Sequence, residues 1–409
     1  MLIKTVAEFS NCLLYNVKKG VFKMPFFDMN NVTKQNLQEL IDNKVFENKE
    51  LEYKDYSFTE GKMTDKHKNK FVKEVAAFAN TNGGTIIVGM QEDENRLPIK
   101  LNGAGFSLKE YDNWLSSFRQ LILSRIRPHL HGVECVPVQI DDNNIVIVIF
   151  VPKSYARPHS FWDGNKDEFF IRYANGISYM DIDDLRQSFL YANGIQDKIH
   201  QFRKNRISMI LANECVGDLG NDAKIAFHII PEWSFELGNR VDLKELDYTS
   251  SLRPISGSGW NHRYNADGYC VYRSEYQSGA INSYTQMFHS GIIEAVEIRL
   301  ISNNKSKEVY NWWQTQDKMI KSLCQYESLL NKLGVPKPWH IFASILNGKD
   351  YTASDGWGES SSPLERNIIN SLDGICSDEI PMREALEPVF DSLSNAFGFE
   401  KSGCFDTKD

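Results

Sequence analysis

The sequence predicts an α/β or α+β protein, with a mixed sheet and helices in its N-terminal part and a β-rich part with long helices after it. Strand and helix patterns alternate from residue 46 to residue 192, as in mixed-sheet domains. Short strand-like runs separated by Gly, Ser and Asn turns then follow, before two long helical patterns. The predicted organisation is a lead-in of residues 1–45, a domain of residues 46–192, a second domain of residues 205–400 and a disordered tail of residues 401–409.

The first domain begins with a predicted strand, helix, tight turn and second strand. Leu51 and Tyr53 alternate with acidic residues, which is the period of a half-buried strand. Thr64 can cap the helix, whose apolar positions recur at three- and four-residue steps: Phe71, Val75, Phe78 and Ala79. The Asn82–Gly84 turn ends the helix, since Gly accepts a left-handed backbone. The nearly all-apolar run 85–89 is typical of a strand buried on both faces.

The remaining elements follow from the same patterns. Before the first strand, a short helix capped by Thr33 is predicted. In the first domain we expect a helix over 108–126, strands over 133–140, 145–151 and 168–173, and a closing helix from about Asp181 that ends at 191–194. In the second we expect strands over 225–231, 269–273, 286–289, 292–301 and 339–346, helices over 308–333 and 381–397, and a mobile segment over 350–363.

The composition is that of an ordinary globular protein. The chain has 409 residues, 42% hydrophobic and 24% charged, with a net charge of -8. Its 7 cysteines form no C-x-x-C pair, which argues against a disulfide framework and a thiolate zinc site. No apolar run approaches the roughly 18 residues of a membrane span, and the N-terminus lacks the pattern of a signal peptide. We therefore expect a cytoplasmic protein without a membrane partner.

Two motifs of the first domain resemble a known family. Residues Glu47–Lys54 read ENKELEYK, and Ala77–Gly89 read AFANTNGGTIIVG. Together they resemble the Schlafen AlbA domain, and the resemblance covers roughly residues 45–192. Shorter pieces follow in the order that the family shows: Ile126–Pro128, Val151–Ser154, Arg157–His159 and Phe169–Tyr173.

Acidic side chains stand at the outer ends of the first two predicted strands. Glu47, Glu50 and Glu52 accompany the first strand, and Glu92 and Asp93 follow the second. If the strands are neighbours, these carboxylates converge at one edge of the sheet. Their mutual repulsion would be relieved by a divalent cation, for which Mg²⁺ or Mn²⁺ is the natural choice. Solvated acids flanking a strand are the alternative interpretation.

The resemblance assigns these acids more closely. It implies a three-carboxylate ribonuclease site in which Glu47, Glu52 and Glu92 are catalytic and bind the metal, with Asp93 as the other choice for the third acid. Glu50 would share a strand face with Glu52 and is a plausible substitute. The hypothesis requires Glu52 to lie near Glu92 or Asp93 and not to be held by a buried arginine.

Basic residues could hold the nucleic-acid backbone. A loop-to-helix stretch is rich in lysine, and further cations lie beside the acids or on late strands; the predicted nucleic-acid-binding residues are Lys54, Lys62, Lys66, Lys68, Lys70, Lys73, Arg157 and Arg172. Lys and Arg supply the sequence-independent part of nucleic-acid affinity. A solvated helix face is the alternative for the lysines, and a structural role is the more common one for His159. The Gly83-Gly84 pair follows a helix and does not match a phosphate-binding loop.

These observations lead to three hypotheses of function. The first is a metal-dependent Schlafen-type nuclease that cuts structured RNA such as tRNA, which the resemblance connects with prokaryotic antiviral defence or stress. The second is a non-catalytic nucleic-acid-binding or DNA-binding regulator, and the third an interaction protein that uses the fold as a scaffold. Only one AlbA-like copy is visible, whereas mammalian Schlafen cores are two-lobed, so we expect a homo-oligomer, with a dimer as the expected form.

Overall fold

A computed structural model of the chain confirms a mixed α+β protein. It describes residues 31–58, 61–173, 176–236, 238–246, 252–255, 259–275, 279–299, 308–309, 311–354 and 361–405. These residues fall into two compact units: the N-terminal unit runs to Gly194, and the C-terminal unit begins at Ile195.

The N-terminal unit alternates strands and helices. Its first element is helix α1 (Lys34–Asp42), which Thr33 caps as predicted. The elements that follow are β1 (Leu51–Lys54), α2 (Asp65–Asn80), β2 (Gly84–Val88), β3 (Met90–Glu92), β4 (Pro98–Leu101), α3 (Tyr111–Arg125), β5 (Ile126–Arg127), β6 (Glu134–Asp141), β7 (Asn144–Val151), β8 (Ser160–Trp162), β9 (Asp167–Tyr173) and β10 (Gly176–Tyr179).

Two four-stranded sheets form the framework of this unit. The first has the order β1-β2-β7-β6, with β1 and β2 parallel and the other pairs antiparallel, so the predicted mixed sheet is confirmed. The second has the order β10-β9-β8-β5 and is antiparallel. Strands β3 and β4 pair separately as a hairpin. Because β1 and β2 are parallel neighbours, the residues that follow them lie at the same edge of the first sheet.

Helix α2 follows the sequence pattern from its cap to its end. The Thr64 hydroxyl accepts a hydrogen bond from the His67 amide at 3.3 Å. Gly83 has a φ of 72°, the left-handed conformation predicted for the turn. A Cβ at Gly84 would lie 2.3 Å from a ring carbon of Phe78, so only glycine lets β2 start this close to the helix.

The helix after β10 is longer than predicted. Helix α4 (Ile182–Leu211) continues through residues 191–194, where the sequence pattern predicted its end. Beyond Gly194, Ile195 and Ile199 are buried, and each can contribute about 1.5–3 kcal/mol. A glycine inside a helix costs only about 1 kcal/mol, so the burial of these side chains outweighs it.

The C-terminal unit is built on one large sheet of order β12-β13-β14-β15-β11-β17-β19, with β20 also paired to β17. Its elements are β11 (Lys224–Pro231), β12 (Asn261–Tyr264), β13 (Gly268–Ser274), β14 (Ile281–Phe288), β15 (Ile293–Glu297), β16 (Glu308–Val309), α5 (Trp312–Lys332), β17 (Trp339–Leu346), β18 (Thr352–Ala353), β19 (Ile368–Asn370), β20 (Gly374–Cys376) and α6 (Met382–Ala396). The predicted β-rich region with long helices is therefore confirmed. Trp312, Leu323 and Phe390 of the two helices share one apolar core with Phe227 and Trp339 of the sheet.

Three boundaries of this unit differ from the prediction or lie beyond the described residues. Helix α5 starts at Trp312, because Glu308 and Val309 pair with β18 as a short strand. Residues 401–405 were predicted to be disordered, but Ser402 is buried and its amide donates to Asp391 at 2.7 Å. Residues 300–301, 355–360 and 406–409, which belong to other predicted segments, lie outside the described residues.

Two further expectations concern cysteines and membranes. The described cysteines, which exclude Cys12, are all free thiols. Within the part of the chain that the structure describes, no helix combines the length and the hydropathy that crossing a membrane requires.

We predict opposite effects for two glycine-to-alanine substitutions. Gly84→Ala would place a methyl group against Phe78 and the Glu50 carbonyl, at 2.3 and 2.7 Å, and should lower the free energy of unfolding by about 1–3 kcal/mol. Gly194→Ala, with no atom within 4 Å of the added Cβ, should raise it by about 0.5–1 kcal/mol. Urea denaturation followed by circular dichroism measures both. A stable Gly84→Ala protein would contradict the close approach of β2 to α2.

Candidate functional site

Four charged side chains form a buried ion cluster beneath strand β1: Glu52, Lys54, Glu74 and Arg172. Strand β1 supplies Glu52 and Lys54 on one face, helix α2 supplies Glu74, and strand β9 supplies Arg172. Arg172 is 2% exposed and Glu52 is 5% exposed. Arg172 Nη1 lies 3.1 Å from Glu74 Oε2, and Lys54 Nζ lies 3.4 Å from Glu74 Oε1. Each oxygen of Glu52 has its own cation, because Oε2 contacts Arg172 and Oε1 contacts Lys54.

Arg172 is fixed by more than its ion pairs. Its guanidinium donates to the carbonyl of Asn48 at 3.0 and 3.2 Å and to the carbonyl of Leu51 at 3.1 Å. It also lies over the Phe78 ring, 4.3 Å from the ring centroid. Burial lowers the pKa of Arg172, and the Glu74 charge opposes this effect. Arg172 therefore joins β1, α2 and β9 and keeps its charge compensated inside the unit.

Glu47 and Glu92 are placed differently. Glu47 lies ahead of β1, and its Oε1 accepts a hydrogen bond from the Tyr53 amide at 2.7 Å. Glu92 ends β3, and its Oε2 is buried without a hydrogen-bond partner among the described residues. Burial raises the pKa of Glu92, and the Glu47 charge raises it further. Burial raises the pKa of Tyr53, and the charges of Glu47 and Glu92 raise it further. We call Glu47 and Glu92 the coupled carboxylate pair.

The predicted three-acid set is thus divided between two environments. Glu47 and Glu92 influence each other, whereas both oxygens of Glu52 contact cations of the buried ion cluster. Within the described ranges, no group of three or more His, Cys, Asp or Glu side chains is arranged to hold a metal ion. Asp93, the alternative third acid, accepts the amides of Asn95 and Leu97 at 2.8 and 2.9 Å, which lowers its pKa. Glu52 is held by the buried Arg172, so the condition set above for the three-acid site is not met. Metal binding by Glu47 and Glu92 stays a prediction.

The predicted phosphate-binding cations also separate into two groups. Lys54 and Arg172 are buried and occupied by the acids of the buried ion cluster, so a phosphate cannot reach them in this arrangement. Lys73 Nζ lies 3.0 Å from Glu168 and packs against the rings of Phe161 and Phe170. The lysines that remain at the surface are Lys62, Lys66, Lys68 and Lys70. We call this group the lysine face; in it, Lys68 pairs with Asp65 at 3.0 Å.

Arg157 and His159 have structural contacts. Arg157 donates to the carbonyls of Asn80 and Thr81 at 3.3 and 3.2 Å, at the end of α2, and lies 3.8 Å from the ring centroid of Tyr191. His159 is buried between the Pro128 carbonyl at 2.8 Å and the Ser154 hydroxyl at 2.6 Å. Burial lowers its pKa to about 4, so the ring is neutral near pH 7. These contacts agree with the structural role that the sequence analysis favoured for His159.

Glu74 is the member of the buried ion cluster that the sequence interpretation did not select. It lies in a helix segment with many charged neighbours, which suggested a solvated face. A signal was present, since position 74 is three residues after Phe71 and four before Phe78 and so falls on the apolar stripe of α2. A carboxylate on the buried face of a helix requires a cation partner, which Arg172 and Lys54 provide.

We predict a large loss of stability on replacing Arg172. Arg172→Met removes the cation but leaves Glu52 and Glu74 buried, which should lower the free energy of unfolding by about 3–5 kcal/mol. The matched control is Arg186→Met, since Arg186 pairs with Asp183 on an exposed face of α4 and its loss should have a much smaller effect. Thermal or urea denaturation of the three proteins measures this. Similar stabilities of the two variants would contradict the role of Arg172.

Comparison with known proteins identifies a family match for part of the chain. The model of the family described as "Schlafen, AlbA_2" matches residues 47–181. Among solved structures, the crystal structure of the DIP2311 protein from Corynebacterium diphtheriae is similar at 19% identity and a TM-score of 0.24. That alignment covers 36% of this chain and 26% of the other, so this chain spans about a quarter of the length of that protein. No curated protein matches the chain. Residues 47–181, which contain the buried ion cluster, the coupled carboxylate pair and the lysine face, form a Schlafen AlbA_2 domain.

Proposed function

We propose that the Schlafen AlbA_2 domain binds nucleic acid through the phosphate backbone, with the lysine face as the contacting surface. The observation that carries the proposal is the local concentration of positive charge on a chain whose net charge is -8. Lys66 and Lys70 are exposed and one turn apart on α2, with Lys62 exposed just ahead of the helix. Surface lysines that replace counterions along a nucleic acid give affinity that does not depend on sequence.

The proposed partner is structured RNA such as tRNA, with DNA as the alternative. The family resemblance supports this choice of RNA. The lysine face itself would contact either nucleic acid, because both present phosphates. Binding assays with both therefore decide the partner.

A second proposed function is metal-dependent cleavage of the bound strand. The coupled carboxylate pair supports it, because the unpartnered Oε2 of Glu92 and the nearby charge of Glu47 are relieved together when a cation binds. Glu47 and Glu92 would hold Mg²⁺ or Mn²⁺, which would lower the pKa of a bound water and neutralise charge on a phosphodiester. Glu52 would join them only by releasing Lys54 or Arg172. In this proposal two carboxylates would hold the cation, and a third would join them only after rearrangement of the buried ion cluster.

The binding proposal predicts a specific salt dependence. Lys66→Gln and Lys70→Gln should each reduce the slope of log affinity against log salt concentration by about 1, since each removes one phosphate contact. Fluorescence anisotropy with labelled tRNA and double-stranded DNA, over a series of KCl concentrations, measures the slope. Lys318→Gln, an exposed lysine of α5, is the control and should leave it unchanged. Equal slopes for all four proteins would reject the lysine face as the contact.

The cleavage proposal predicts that one carboxylate is indispensable. Wild type should cut tRNA with Mg²⁺ or Mn²⁺ and not with EDTA. Loss of a side chain that supports a metal ligand typically lowers activity about 10–100-fold. Glu92→Gln removes a proposed ligand itself, so it should lower the cleavage rate by at least that factor. Glu94→Gln, an exposed neighbour, is the matched control. Glu52→Gln is less decisive, because it also disturbs the buried ion cluster.

Three outcomes separate the hypotheses. Metal-dependent cutting that is lost in Glu92→Gln supports the nuclease. Salt-sensitive binding of RNA or DNA without cutting supports a non-catalytic regulator. The absence of binding to tRNA and to both forms of DNA would leave only an interaction role for the domain.

A homodimer is also proposed, because a single AlbA_2 domain is matched in this chain. Light scattering at micromolar concentration should give twice the chain mass of 47.0 kDa. A monomeric mass would contradict the dimer and leave the binding proposal untouched.

A further inference from the structure

Two aromatic rings next to the lysine face carry buried polar atoms that have no partner. Tyr56 follows strand β1, and His67 lies in the first turn of α2. Their rings stack with centroids 4.6 Å apart and an interplanar angle of 19°. Within the described part of the chain, neither Tyr56 Oη nor His67 Nδ1 has a hydrogen-bond partner, although both atoms are buried. Such atoms are uncommon in folded proteins and require an explanation, of which a bound water, ion or ligand is one.

Lys70 adds a cation to the same place. Its Nζ lies over the Tyr56 ring, 5.7 Å from the centroid, and the side chain is exposed. The Lys70 charge opposes the burial that raises the pKa of Glu92, and it adds to the burial that lowers the pKa of Lys54. Lys70 therefore lies beside the Tyr56–His67 stack, and its charge acts on Glu92 of the coupled carboxylate pair. Lys66 precedes His67 directly and adds a second exposed cation.

We infer that Tyr56, His67 and Lys70 form a binding site for one phosphodiester group of a nucleic acid. Because Tyr56 Oη and His67 Nδ1 are buried, the site would have to open by movement of surrounding side chains before a phosphate could reach them. This inference rests on the proposed function and names the contact that the lysine face surrounds. A phosphate oxygen accepts several hydrogen bonds, and the site would offer the Tyr56 hydroxyl, His67 Nδ1 in the tautomer that protonates it and the Lys70 ammonium. Burial and the Glu74 charge raise the pKa of Tyr56, so its hydroxyl remains a donor at neutral pH.

The surroundings favour a phosphate over a base. His67 stacks on the Tyr56 ring, Lys70 lies over it, and Phe71 meets it edge-on at 5.2 Å. These contacts occupy the ring surface on which a nucleobase would stack. Glu74 acts on Tyr56 and Glu92 interacts with Lys70 through charge, and Lys54 and Arg172 already offset Glu74. The site should therefore recognise the backbone without regard to sequence.

The test uses Tyr56→Phe, which removes one hydroxyl and keeps the ring. With a fluorescein-labelled 20-nucleotide RNA, the affinity of Tyr56→Phe in anisotropy should fall roughly tenfold, and equally for a second RNA of unrelated sequence. Without RNA its melting temperature should stay unchanged or rise, because the lost hydroxyl had no partner in the fold. Tyr264→Phe, at an exposed tyrosine of the C-terminal unit, is the control and should bind as wild type does.

Each outcome decides the inference. Weaker binding by Tyr56→Phe at unchanged stability supports it. Binding equal to wild type, or a lower melting temperature with normal binding, overturns it while the proposed function stands. No binding by wild type overturns both. Inorganic phosphate is titrated separately: a Tyr56-dependent rise in melting temperature with phosphate, without any Tyr56 effect on RNA, overturns the assignment to nucleic acid.

Discussion

The N-terminal unit depends on the contacts of one buried guanidinium. Arg172 reaches from β9 to two carbonyls around the start of β1, to Glu52 of that strand and to Glu74 of α2, and it lies over the Phe78 ring. A strand, a helix and a strand of the other sheet are thereby joined through one side chain. Because an unpaired carboxylate in this interior would be strongly unfavourable, Arg172 and its partners specify a single arrangement of the three elements.

This constraint also decides which acids are available for chemistry. Glu52 and Glu74 are neutralised by Lys54 and Arg172 in the interior, so they have little residual attraction for a further cation. In the coupled carboxylate pair, Glu47 accepts a backbone amide, and Glu92 Oε2 has no hydrogen-bond partner among the described residues. Lys54, Arg96 and Lys70 act on Glu92 through their charges. In the proposed nuclease a divalent ion would therefore bind at this pair, while Lys70 and the Tyr56–His67 stack would meet a phosphate.

Local patterns were sufficient to predict the strand–helix–turn–strand unit. Thr64, the apolar stripe of α2 and Gly83-Gly84 each act within a few residues, so their effect can be read without the fold. Long-range contacts could not be predicted in this way. No residue near Glu52 in the sequence indicates that Arg172 will neutralise it. The burial of Ile195, which favours continuation of α4 beyond Gly194, occurs only when the helix packs against the rest of the protein. Ser402 shows the same limit, because its partner Asp391 becomes a neighbour only after α6 has formed.

The sequence separation within the buried ion cluster bears on how the domain emerges from the ribosome. Glu52 and Arg172 are 120 residues apart, and Glu74 and Arg172 are 98 apart. Synthesis proceeds from the N-terminus, so β1 and α2 leave the ribosome well before Arg172 is made. Contacts between residues so far apart in sequence also form slowly. Until β9 is made, Glu52 and Glu74 have only Lys54 between them and must remain hydrated. The nascent domain therefore cannot close its interior early, and a fragment that stops short of Arg172 should behave as an incompletely folded chain.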